Sequence, residues 1–189
     1  MRTLDRKCAK ANGVADYEDL IDELNADTEV RDGDKLICGD MTFTVVSLAG
    51  HTKCSVGFYL EQQRLLLGTE TLGVYFGSDT YLPSYLVGYN MALESFRKAN
   101  SLEIDSLLIP HYGMVDKKAA REYLENSERV SRSTALQLRQ MLDTGMTKEE
   151  VLEEFTKAVY KENVAPIYPI DAFRLNTSIM IDLIAKEYK

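Results

Sequence analysis

From residue 16 to 25 (DYEDLIDELN), Tyr17, Leu20, Ile21 and Leu24 recur three and four apart, which predicts a helix with one apolar face. Asp16 can cap its start, where negative charge also suits the helix dipole. After the turn residues Asp32, Gly33 and Asp34 the period changes to two. Met41, Phe43 and Val45 alternate with Thr42 and Thr44 before the run closes in Val46 and Leu48, the pattern of a strand. Ser55 to Leu60 and Arg64 to Gly68 predict two more strands, joined by Glu61, Gln62 and Gln63. Connections this short make residues 36–68 a largely antiparallel run.

Tyr75 to Tyr89 reads as a loop rich in Gly, Pro and Tyr, leading into a helix that runs through about Ala99. Leu107, Leu108 and Ile109 form a short buried strand ended by Pro110. The pattern then turns helical, with one long stretch from about Lys117 to Leu142 that stops at Gly145, a natural C-terminal cap. Thr147 with Glu150 three residues on is a capping box that opens the next helix. A last amphipathic helix starts near Asp171, set off by Pro166 and Pro169. The order helix, strands, helix, strand, helices places the chain in the α/β or α+β class, with the sheet covered on at least one face. The change from sheet to helices near residue 116 divides it into residues 1–115 and a helical extension over 116–189.

Composition narrows the function more than the fold. The chain has 189 residues, 45% hydrophobic and 28% charged, an ordinary globular balance long enough for a sizeable core. A net charge of −8 argues against nucleic acid, which calls for clustered Lys and Arg. No apolar run approaches the roughly 20 residues that span a bilayer, and Met1 to Gly13 has basic residues without the apolar stretch of a signal peptide. Three cysteines, Cys8, Cys38 and Cys54, lie far apart with no C-x-x-C pair. They read as reduced thiols of a cytoplasmic protein, with Cys54 expected to point into the sheet beside Val56.

Both histidines of the chain fall at predicted strand ends: His51 in Ala49-Gly50-His51-Thr52, and His111 in Pro110-His111-Tyr112-Gly113. Glu70 follows a third strand, in Gly68-Thr69-Glu70-Thr71. Loops held by a rigid sheet are the usual seat of functional groups, and imidazole with carboxylate suits zinc or iron. Taken singly, each residue has a plainer reading: a hydrogen-bonded loop histidine or a solvent-facing glutamate. Taken together, three polar strand ends in one sheet point to a site. The stretch with Tyr75, Phe76, Tyr81, Tyr85 and Tyr89, together with Tyr112, either binds substrate near that site or packs the loops around it.

The succession strand-GHT, strand-G-x-acid, strand-P-H-x-G, approached through Asp32-Gly33-Asp34-Lys35-Leu36, resembles the second half of the metallo-β-lactamase fold over about residues 30–115. That resemblance implies the C-terminal half of a four-layer αββα sandwich with a helical C-terminal extension. It implies that His51 belongs to a first metal site, Glu70 bridges two metals, and His111 belongs to a second site, with Thr52 and Tyr112 beside them. The parent protein would be a metal-dependent hydrolase using zinc, iron or manganese. Its metal-bound hydroxide would attack an ester, thioester, lactone or phosphoester in a small-molecule substrate. Two features depart from the family pattern. Glu70 stands where the family has Asp, one methylene shorter, and the H-x-H-x-D-H signature that supplies the other ligands is absent. The expectation is therefore a truncated domain, inactive alone, completed by a missing N-terminal half or paired as a homodimer through an apolar sheet face. The alternative is a degenerate, non-catalytic domain that acts in binding or assembly.

Overall fold

The structure is a computed structural model that describes residues 26–188 together with Arg6, Ala9, Lys10, Gly13 and Val14. Cys8 and the helix expected over residues 16–25 lie outside the described residues. The chain divides into two compact units, Met1–Val30 and Arg31–Lys189. The second contains both the sheet and the helices that follow residue 116.

In that unit β1 (Lys35–Cys38), β2 (Met41–Ser47), β3 (Val56–Leu60) and β4 (Leu65–Leu67) form an antiparallel meander. The alternation around Phe43 and Val45 and the polar connection at residues 61–64 lead directly to this arrangement. The chain then leaves the sheet through a single 3₁₀ turn (Glu70–Leu72) and a small hairpin of β5 (Val74–Tyr75) and β6 (Tyr81–Leu82). Helix α1 (Tyr89–Ser101) carries it back to β7 (Ser106–Ile109), which lies parallel to β4 with Leu66 opposite Leu107. A parallel neighbour needs a long crossover, and residues 68–105 provide it. β8 (Gly113–Asp116) then doubles back on β7, giving one six-stranded sheet in the order β1-β2-β3-β4-β7-β8. The pattern of apolar positions did not reveal β8. It is four residues long, and only Met114 and Val115 are apolar, too few for a period to show.

Helices α2 (Lys118–Asp143), α3 (Lys148–Val159) and α4 (Ile170–Glu187) complete the unit. The expected capping box opens α3. Glu150 N–H donates to Thr147 Oγ1 at 3.3 Å, and Thr147 N–H donates to Glu150 Oε2 at 2.8 Å. Those bonds from Thr147 hold the Glu150 carboxyl below its ordinary range.

One face of the sheet, with Val46, Leu66, Leu107 and Ile109, is buried with Phe96 and Ala99 of α1 and Tyr123 and Leu124 of α2. A second core joins Ala135 and Leu138, further along α2, to Val151 and Phe155 of α3 and Phe173 and Ile181 of α4. The long α2 thus belongs to both. Cys54 is exposed rather than directed into the sheet. It lies in the turn before β3, where the two-residue alternation of a strand does not yet apply. No helix among the described residues is long and apolar enough to cross a membrane.

Candidate functional site

His51, Glu70 and His111, drawn from three separate connections, line one cavity of about 370 Å³. Backbone geometry places each of them. Gly50 adopts φ 147°, and a Cβ there would lie 2.6 Å from Thr71 Cγ2 and 3.0 Å from the Ala92 backbone. Only glycine fits so tight an approach in that conformation. The Gly50 carbonyl accepts from Leu86 and Val87 N–H at 2.8 and 2.9 Å, which pins the turn to the loop before α1.

His51 N–H donates to Thr71 Oγ1 at 3.0 Å, tying the first turn to the residue after Glu70. At the end of β4, Gly68 N–H donates to the Leu108 carbonyl at 2.9 Å, tying the second turn to the strand that precedes His111. His111 itself sits in the three-residue loop of the β7–β8 hairpin, since Ile109 pairs with Gly113. Its φ of 67° is a left-handed conformation that costs a non-glycine residue energy and recurs at functional positions.

His51 Nδ1 lies 3.2 Å from the Ser84 carbonyl and 2.8 Å from Ser84 Oγ. A carbonyl can only accept, so these partners put a hydrogen on Nδ1, and in the neutral ring the lone pair is then on Nε2. That is the state in which a histidine binds a metal. His111 Nε2 lies 3.4 Å from Glu70 Oε1, with the His111 side chain 64% exposed and that of Glu70 32%. A pair this open contributes little to stability.

The donor types suit a divalent metal, but the donor number falls short. No group of three His, Cys, Asp or Glu side chains able to hold one ion occurs among the described residues. A tight structural or catalytic zinc site takes at least three protein ligands. Glu70 with His111, and His51 lining the same cavity, do not form one such group among the described residues.

Tyr75, Tyr81 and Tyr112 do not line the cavity. They pack on one another, with ring centroids 4.7 Å apart for Tyr75 and Tyr112 and 4.8 Å for Tyr75 and Tyr81. Tyr123 of α2 closes the cluster, 5.5 Å from Tyr81. The aromatic wall of the cavity comes instead from Phe76 and, far along the sequence, from Phe155, Tyr168 and Phe173. The sequence pointed to Phe76 within the aromatic stretch 75–89 but not to Phe155, Tyr168 or Phe173, because an apolar position on or beside an amphipathic helix looks the same whether it lines a cavity or fills a core. The run Pro166-Ile167-Tyr168-Pro169 ahead of α4 was the one available signal, since prolines hold that segment out of helix beside two large apolar side chains.

No protein-family model and no characterised protein sequence matches the chain. Its structure, however, is similar to that of a metallo-beta-lactamase family protein from Thermus thermophilus (16% identity, TM-score 0.59, covering 98% of this chain and 60% of that one). An archaeal metallo-beta-lactamase superfamily protein from Sulfolobus tokodaii gives 20% identity and a TM-score of 0.51 over 97% of this chain and 63% of that one. A beta-lactamase domain protein from Burkholderia ambifaria gives 13% and 0.57 over 84% and 44%. The chain has the metallo-β-lactamase fold. It spans less than two thirds of the length of each of these proteins.

Proposed function

We propose that this chain is part of a metal-dependent hydrolase, to which it contributes His51, Glu70 and His111, and that it has no hydrolytic activity alone. The observation that carries the reading is the convergence of these three side chains on one cavity in a metallo-β-lactamase fold. The class of reaction is hydrolysis of an ester, thioester, lactone or phosphoester bond in a small molecule. A bound metal would polarise the scissile group and activate water there. On this reading the remaining ligands come from outside this sequence, whose two histidines are both already assigned to the proposed site. The proposed source is a polypeptide segment carrying H-x-H-x-D-H.

Metal analysis of the chain purified without chelator tests this. Zinc, iron and manganese together are expected well below one equivalent, with ester and thioester hydrolysis at the uncatalysed rate. A full equivalent of tightly held metal would show the site to be complete as it stands. Supplying an H-x-H-x-D-H segment, in fusion or by co-expression, is expected to bring both metal and hydrolysis, and both should fall in His51→Ala and His111→Ala. Failure of every such segment to restore either would remove the hydrolase reading.

A further inference from the structure

We infer that the cavity takes the apolar acyl group of a neutral carboxylic ester or thioester, held by the helical wall, with the scissile bond at His51, Glu70 and His111. The inference rests on reading this cavity as the hydrolytic site. The cavity lining combines two kinds of chemistry. The turns after the strands supply two imidazoles and a carboxylate. The rest of the lining comes largely from α3, α4 and the segment between them, including Phe155, Ile167, Phe173 and Met180.

No Lys or Arg among the described residues lines the cavity, so this wall offers no counter-charge to a phosphate or a second carboxylate. The polar groups among the helical residues are already engaged or neutral. Asn176 Nδ2 donates to Tyr168 Oη at 2.5 Å, and burial raises the Tyr168 phenol against that bond, so it stays uncharged. Phe76 and Tyr168 stack with centroids 6.0 Å apart and planes at 13°, a flat apolar pair on which a chain can lie. A volume near 370 Å³ lies in the range of small-molecule sites. In hydrolysis the acyl C–O or C–S bond breaks and a C–O bond to water forms. The water's hydrogens divide between the released acid and the departing alcohol or thiol, with no change of oxidation state.

The test is binding, which needs no metal. Ile167 lines the cavity yet is 66% exposed, so Ile167→Glu places a charge at the rim without removing core volume. Leu175, on α4, is also exposed but does not line the cavity, and Leu175→Glu serves as the matched control. In calorimetric titration, 1-octanol is expected to bind the wild-type chain and the Leu175→Glu variant alike. Ile167→Glu should weaken that binding at least tenfold, and glycerol should show none. Absence of octanol binding, or equal binding to Ile167→Glu, overturns the inference even if metal and hydrolysis behave as proposed above. Octanol binding with the expected loss, in a chain that never gains metal or hydrolysis in the complementation experiment, leaves the apolar cavity standing and removes the hydrolase reading alone.

Discussion

At residue 50 the geometry of the site and the stability of the fold depend on the same missing methyl group. Gly50 brings the turn before His51 within contact of Thr71 and of α1. Its carbonyl holds two N–H groups of the loop that also carries Ser84, the partner of His51 Nδ1. Gly50→Ala forces a side chain into a φ of 147° and against backbone that cannot yield cheaply. The expected cost is about 2–4 kcal/mol in urea unfolding, the sum of backbone strain and overpacking. Because the turn must shift to relieve the contact, the His51 ring signals in NMR should move as well. A variant as stable as wild type, with an unmoved His51, would show that the turn has slack the contacts do not suggest. Both histidines and Glu70 could be singled out from their places after strands. Ser84 and Thr71, which hold His51, could not, because a serine 33 residues from its histidine partner leaves no local signature.

Among elements, those with a repeating pattern were legible and those defined by a partner were not. The β2 alternation, the three-leucine β4 strand, the capping box at Thr147 and the stop at Gly145 all show in the sequence because each is a local preference. β8 and the β5–β6 hairpin exist because a neighbouring strand receives them, and the cavity wall exists because α4 packs on α3 and α2 in the helical core. The capping box gives a test at this scale. Thr147→Ala should destabilise the chain by about 1 kcal/mol at neutral pH, in the usual range for losing an N-cap. Glu150 contributes to the box as a carboxylate, and its folded pKa is depressed below the ordinary 4.5. A depressed carboxylate stabilises the fold above its unfolded pKa, and that contribution is lost as pH falls through the folded value. The difference between wild type and Thr147→Ala should accordingly shrink in urea titrations taken from pH 7 down to below pH 4. A gap independent of pH would assign the cap to the threonine hydroxyl alone.

Across the whole unit from Arg31 to Lys189, two apolar cores are spanned by one helix. α2 runs 26 residues, about 39 Å at the usual rise, placing Ala120, Tyr123 and Leu124 in the sheet core and Ala135 and Leu138 in the helical core. The cavity draws residues from both halves, so its shape holds only while the two stay in register. A helix rigid along its length couples them, since melting either half leaves the other half of α2 without its packing partner. Leu138 is fully buried in the helical core, far along α2 from the sheet contacts. Truncating it in Leu138→Ala should cost about 2–5 kcal/mol through lost burial and the cavity left behind. The decisive reading is where that cost shows. If the helix couples the cores, hydrogen exchange at Leu66 and Leu107 amides in the sheet should accelerate in Leu138→Ala by the same free energy that the global denaturation midpoint reports. If the sheet amides keep wild-type protection while the α3 and α4 amides lose theirs, the cores unfold separately. The cavity would then be a junction between two independent parts rather than a feature of one.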